Sequence, residues 1–205
     1  MTTTILHINS SVRSTGSVSR QLTQEFIEKL QAAHPGSRVV ERDLAAQPVP
    51  HLTETMMGAY FTAPEQRTPE QAQTVKLSDE LVAELQSADI VVIGAPMYNF
   101  SVSSTLKAWI DHVARAGVTF KYGANGPEGL LKDKKLFVFT SRGGVYSQGP
   151  AKSMDFHETY LRAVLGFLGI TDISFIHAEG LAMGEEAVNS ALAGSRDAMQ
   201  ALIAA

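Results

Sequence analysis

The sequence predicts an open α/β sandwich in which five parallel strands alternate with five helices. Three observations carry this. Short β-branched runs recur between longer stretches whose apolar residues fall at helical spacing. Three of those runs are apolar with little alternation, as expected of strands covered on both faces. The 205 residues, 44% hydrophobic and 19% charged, suit one well-buried core and are short for two. No internal repeat or low-complexity stretch breaks the succession, so right-handed βαβ crossovers account for the whole pattern.

The first strand is read at Thr4 to Ile8, followed by a helix marked by Leu22, Phe26, Ile27 and Leu30. The second is Arg38 to Glu41, with its helix marked by Leu77, Leu81, Val82 and Leu85. The third, Ile90 to Ile93, precedes Leu106, Trp109, Ile110 and Val113. The fourth, Leu136 to Phe139, precedes a helix carrying Phe156, Tyr160, Leu161, Val164, Leu165 and Leu168. The fifth, Ile173 to Ile176, leads to a last helix with Val188, Leu192, Met199, Leu202 and Ile203. Two connections, Leu44 to Pro69 and Gly117 to Lys135, exceed the roughly 12–15 residues of a plain loop and so read as functional. Their aromatics (Tyr60 and Phe61; Phe120 and Tyr122) argue against disordered linkers. A monomer would leave these groups exposed, which points to a homodimer.

Composition removes several function classes. A net charge of -4 leaves no basic stripe, so neither nucleic acid nor an anionic membrane is an expected partner. The absence of cysteine excludes disulfides, cysteine-ligated zinc, iron–sulfur clusters, a CxxC redox pair and a cysteine nucleophile, and fits a reducing cytosol. Met1 to Thr4 carries no basic region, the following apolar stretch is broken at His7 and Asn9, and the run from Ala88 to Met97 falls short of the ~20 residues that span a bilayer. The expectation is a soluble, single-domain cytoplasmic protein.

Ligands of open α/β sheets bind beyond the carboxyl ends of the strands, where the strand order reverses. After strand one comes Asn9-Ser10-Ser11-Val12-Arg13-Ser14-Thr15-Gly16-Ser17-Val18-Ser19, a hydroxyl-rich loop running into a helix. Helix N-terminal N–H groups with Ser11, Ser17 and Ser19 suit a phosphate; ordinary serine capping explains the same residues. After strand three, Pro96-Met97-Tyr98-Asn99-Phe100 places a thioether, two aromatics and an amide where they suit a planar heterocycle; a cluster closing the core is the plainer alternative. After strand four, Thr140-Ser141-Arg142-Gly143-Gly144 offers backbone N–H groups for close approach, or merely a glycine turn.

These three loops, with Ala114-Arg115-Ala116-Gly117-Val118-Thr119-Phe120, Asn125-Gly126-Pro127-Glu128-Gly129-Leu130, Arg42-Asp43-Leu44-Ala45 and Gly166-Phe167-Leu168-Gly169-Ile170-Thr171-Asp172, resemble the FMN-dependent NADH:quinone/azo oxidoreductases, the bacterial azoreductase family. The likeness runs nearly end to end. It implies a flavodoxin-like three-layer fold over residues 1–205 as one FMN-binding domain, with five parallel strands in the order 2-1-3-4-5. It implies non-covalent FMN on a homodimer, NADH as hydride donor, and quinones or aromatic azo compounds as acceptors in a ping-pong cycle. Ser11, Ser17, Val18 and Ser19 would then hold the phosphate. Met97, Tyr98, Asn99 and Phe100 would meet the isoalloxazine and ribityl chain, and Ser141, Arg142, Gly143 and Gly144 the pyrimidine side. Phe120 would join the acceptor pocket, reaching across the dimer. Arg13 departs from the resemblance, standing where a residue such as leucine is expected. The flavin carries the chemistry, so no catalytic acid or base is expected.

Rival constellations are weaker. No GxGxxG follows the first strand, so the pyridine nucleotide is expected as a visiting substrate and not as a resident cofactor; Gly123, Gly126 and Gly129 read as loop glycines. No P-loop, HExxH or EF-hand pattern occurs, and the six histidines show no ligand spacing. Ser153, Asp155 and His157 crowd one helical turn without a GxSxG elbow, which disfavours a triad, and His112 reads as a helix-surface or core residue. Two other function classes remain for comparison. A flavodoxin-like electron carrier is usually more acidic than -4, and a serine hydrolase would need Ser11 or Ser141 as nucleophile.

Overall fold

The computed structural model describes residues 2–204, so Met1 and Ala205, the ends of the expected 1–205 span, lie outside the described residues. The chain runs β1 (Thr4–Asn9), α1 (Val18–Ala33), β2 (Arg38–Asp43), α2 (Glu54–Phe61), α3 (Pro69–Ser87), β3 (Ile90–Pro96) and α4 (Ser104–Val113). It continues through β4 (Phe120–Gly123), β5 (Gly126–Gly129), β6 (Lys135–Ser141), α5 (Phe156–Phe167), β7 (Asp172–Ala178) and α6 (Glu185–Ala204).

Five strands form a parallel sheet in the order β2-β1-β3-β6-β7. Counted among themselves, these strands have the expected order 2-1-3-4-5, and the direction of winding reverses at β1. Side chains alternate between two cores. Leu6, Ile8, Val91, Ile93, Leu136 and Val138 pack with Leu81, Leu85, Trp109, Leu161 and Leu165 of α3, α4 and α5. Ile5, Val92, Phe137 and Phe139 face the other way, onto Leu22 and Phe26 of α1 and Met199 of α6. The middles of the inner strands are largely apolar because both faces are covered, His7 of β1 being the buried polar exception. Register brings the carboxyl ends of the inner strands level: Asn9 lies opposite Gly94, Pro96 opposite Ser141, and Ser141 opposite Ala178. Gly94 is a glycine for a steric reason. A Cβ there would come within 3.3 Å of Asn9 Oδ1 and Thr23 Cγ2, because α1 crosses β3 closely.

The two long connections hold more structure than loops. The first contains α2, capped by the Thr53 side chain accepting the Met56 N–H at 3.3 Å, and a 3-10 turn at Pro64–Gln66. The second is corrected from loop to an antiparallel hairpin, β4 paired with β5. Gly123 and Gly126 flank its turn and Gly129 ends it against Gly169, so these three are hairpin glycines with distinct jobs. Among the described residues no helix is long and apolar enough to cross a membrane.

Candidate functional site

The site lies at the carboxyl edge where β1 and β3 diverge. Ser17 caps α1, its Oγ accepting the Arg20 N–H at 3.4 Å and lying 3.3 Å from Ser19 Oγ. Ser11 is buried, and its Oγ accepts the Arg13 N–H at 3.3 Å. Arg20 does not face the cleft as a free cation. It donates to both Asp43 oxygens at 2.7 Å and to the Ser11 carbonyl at 2.9 Å, buttressing the loop from behind. The Arg20 hydrogen bond, aided by the Ala45 and Ala46 N–H groups and opposed by burial, takes the Asp43 pKa to about 2. Ser17 and Val18 place the start of α1 at the edge of the cleft, where the helix dipole and the N–H groups that the cap leaves free suit an anion. Arg13 is exposed beside them, its Nη2 3.5 Å from the point where a Cβ on Gly16 would sit.

After β3 the chain makes a two-residue turn, with Tyr98 N–H donating to Ser101 O at 2.9 Å and Ser101 N–H to Tyr98 O at 3.0 Å. Its central residues, Asn99 (φ 48°) and Phe100 (φ 70°), are both left-handed, as a type I′ turn requires. Asparagine tolerates this; phenylalanine is strained by about 1–2 kcal/mol. Phe100 is 43% exposed and packs edge-on against Tyr146, ring centres 6.1 Å apart. Phe100→Gly should therefore keep the stability of the chain within about 1 kcal/mol in urea denaturation, since released strain offsets lost packing. A loss above about 2 kcal/mol would show that the turn is not strained.

After β6, Arg142 N–H donates to Ala178 O, and the Arg142, Gly143 and Gly144 carbonyls accept from Leu181, Ala182 and Gly180 at 3.1, 2.9 and 3.1 Å. Among the described residues neither the Gly143 nor the Gly144 N–H has a protein acceptor. The Arg142 guanidinium is fully buried, with Nη1 at 2.9 Å from Asp155 and 3.0 Å from Glu179, so the residue meets the cavity from within the protein.

A cavity of ≈ 260 Å³ is bounded by Ser11, Ser17 and Val18 from the first loop, Met97 and Tyr98 from the second, and Ser141, Arg142 and Gly143 from the third. Leu181 and Val188 also bound it. Reading the segment after strand five in the same way as the other three would have found Leu181. Ser19 is buried beneath the loop, Gly144 lies under the Tyr146 ring, and Asn99 faces an adjoining cavity of ≈ 640 Å³ that shares Tyr98. Together the two spaces fall in the range of small-molecule sites, about 300–1,000 Å³. The donor set fits a phosphate at one end and the edge of a planar heterocycle at the other. Phe120 is not brought to this cleft. It rests on Phe167 at 4.5 Å and bounds a separate cavity of ≈ 220 Å³ with Tyr60, Phe61 and Arg115.

The alternative constellations do not assemble. Asp155 caps α5, accepting the His157 and Glu158 N–H groups at 3.1 and 3.0 Å, while Ser153 is exposed and His157 is buried. His112 is a core residue, its Nε2 2.9 Å from the Pro50 carbonyl and its Nδ1 3.0 Å from the Tyr60 hydroxyl. The Pro50 contact makes Nε2 the donor, so Nδ1 accepts from Tyr60. Among the described residues no cluster of His, Cys, Asp or Glu could hold a metal ion.

Comparison with known proteins gives one consistent answer. Residues 3–203 match a family described as having a flavodoxin-like fold. An FMN-dependent NADH:quinone oxidoreductase of Herminiimonas arsenicoxydans is 61% identical over 203 residues, covering 99% of this chain and 100% of that one. A protein of the same name from Paraburkholderia phymatum is 56% identical over 199 residues, covering 97% and 99%. Among solved structures, an azoreductase from Bacillus anthracis str. Sterne superposes with a TM-score of 0.89 at 33% identity, over 97% of this chain and 98% of that one. An FMN-dependent NADH-azoreductase from Bacillus anthracis str. Ames Ancestor, in complex with FMN, superposes with a TM-score of 0.86 at 27% identity, over 99% and 100%.

Proposed function

The chain belongs to the flavodoxin-like family that contains the FMN-dependent NADH:quinone oxidoreductases, and from that membership we propose that it takes hydride from NADH through bound FMN and delivers it to quinones and aromatic azo compounds. The observation that supports this most directly is the meeting, at one sheet edge, of an anion-ready helix start, an aromatic turn and unpaired glycine N–H groups. Residues 1–205 act as one FMN-binding domain in the cytoplasm.

Ser11, Ser17, Val18 and Ser19 hold the phosphate, chiefly through first-turn N–H groups and hydroxyls, with the exposed Arg13 at its rim. Met97, Tyr98, Asn99 and Phe100 wall the ring and ribityl chain. Ser141, Gly143 and Gly144 meet the pyrimidine edge, where N–H donors favour negative charge; Arg142 contributes by fixing that loop. FMN, when bound, supplies the two-electron redox chemistry. A flavin held in this cleft with one face against the protein would offer a single open face, which donor and acceptor would occupy in turn, giving ping-pong kinetics. No side chain is asked to act as general acid.

We further propose a homodimer. Phe61 and Tyr122 are 73% and 75% exposed, with Met57 also exposed, near the cavity that Phe120 bounds. Exposed apolar groups of this size gathered around Phe120 suit a partner copy, through which Phe120 reaches the acceptor pocket of the other subunit.

The test is an anaerobic titration of the FMN-supplied protein with NADH. The oxidised-flavin absorbance near ~450 nm should be lost at about one NADH per chain, and the same sample should sediment at twice the chain mass of 22.1 kDa. Bound FMN that NADH leaves oxidised would replace this proposal with an electron carrier, and no FMN binding would overturn it.

A further inference from the structure

We propose that Glu179 is a positioning residue for FMN, holding the Gly143–Ser147 loop so that its glycine N–H groups face the cleft; this rests on the FMN reading above. Glu179 follows β7 and is nearly buried, its side chain 12% exposed. One oxygen, Oε1, accepts the Tyr146 N–H at 2.9 Å, the Ser147 N–H at 3.0 Å and Arg142 Nη1 at 3.0 Å. The other, Oε2, accepts from the Ser147 hydroxyl. Burial works to raise its pKa, but bonds from Ser147, Tyr146 and Arg142 outweigh it and hold the carboxyl below the ordinary range. It is therefore ionised at neutral pH.

Two features separate this role from simple charge balance. Arg142 retains a second carboxylate, Asp155 at 2.9 Å, so its charge stays compensated without Glu179. The bonds that nothing else replaces are those to Tyr146 and Ser147. These sit just beyond Gly143 and Gly144, whose carbonyls are pinned to Ala182 and Gly180. Backbone bonds thus fix one edge of the loop, and Glu179 fixes its far end. The same end places the Tyr146 ring against Phe100 at 6.1 Å, tying the third loop to the strained turn of the second. A site held by a fixed supporting residue binds more tightly than one whose loop must order on binding.

The decisive pair is Glu179→Gln, which keeps reach and loses charge, against Glu179→Asp, which keeps charge and loses reach. FMN dissociation constants come from quenching of flavin fluorescence, and amide hydrogen exchange of residues 143–147 is followed in the flavin-free protein. Glu179→Asp should weaken FMN binding by on the order of 10–100-fold and speed exchange in the loop. Glu179→Gln should stay within about 3-fold of the parent, because its amide oxygen still accepts the two N–H groups. Glu179→Gln failing while Glu179→Asp binds normally would assign the effect to charge and overturn the proposal. Unchanged affinity in both, or weakened affinity with unaltered exchange, would overturn it as well. A parent protein that binds no FMN in the same titration would instead strike the functional reading, while the exchange data still report whether Glu179 holds the loop.

Discussion

Gly129→Ala should destabilise the protein by about 3 kcal/mol or more, read as a fall of ~6–12 °C in thermal midpoint. The added Cβ would lie 2.2 Å from Gly169 N, 2.3 Å from Leu168 C and 2.4 Å from Gly169 Cα. All three are backbone atoms, so no rotamer change relieves the clash and the hairpin must lift from the turn after α5. That turn is fixed in its own right: Leu131 N–H donates to Leu168 O at 2.9 Å, and Gly169 holds φ 106°, a conformation L side chains rarely adopt. The change also reaches the proposed acceptor pocket. Gly129 is paired with Phe120, which rests on Phe167 at 4.5 Å, so lifting β5 displaces both rings. The KM for the acceptor should rise more than that for NADH. A thermal midpoint within about 2 °C of the parent would mean that the hairpin docks differently from the arrangement described.

How much of this was legible in the sequence follows from the range of the interactions involved. The inner sheet strands announce themselves because burial on both faces selects apolar runs such as Ile90 to Ile93, while the half-buried edge strands β2 and β7 show only short β-branched or aromatic runs. The three loops were findable because each directly follows a strand, and strand ends meet by topology alone. The hairpin was hidden because Gly126-Pro127-Glu128-Gly129 contains the residues least favoured in strands; its position is set by docking against Gly169, some forty residues away. Helix α2 was hidden by Gly58 and by its shortness, although Thr53 was a readable cap. The orientation of Arg142 could not be read, because its partners Asp155 and Glu179 stand 13 and 37 positions along the chain. Periodicity and strand-end position report local choices. A buried ion pair between distant segments leaves no local trace.

The second large effect expected is a loss of stability on mild acidification, centred on His157. This side chain is buried, and both ring nitrogens lack a partner among the described residues. Burial first, then repulsion from Arg142, lowers its pKa to about 4, with Asp155 opposing. Its place in the first turn of α5 adds the positive end of the helix dipole against a proton. In the unfolded chain the imidazole titrates near ~6.5. Between pH 6.5 and about 4 the unfolded state therefore binds more protons than the folded one, and stability falls as pH falls through that window. The contribution is about 3 kcal/mol, fully present above the unfolded value and lost by the folded one. Asp43 acts in a lower window. Its folded pKa of about 2 confers stability that is present above the unfolded carboxylate value and disappears only as pH drops towards 2. The two losses are thus separable on the pH axis. His157→Leu, similar in volume and without the unpaired nitrogens, should match or exceed the parent at pH 7 and show a shallower decline from pH 6.5 to 4.5. Urea midpoints taken at one fixed FMN concentration make ligand linkage common to both proteins. Equal declines in parent and variant would remove His157 as the cause and leave the acid loss to the other histidines and the carboxylates.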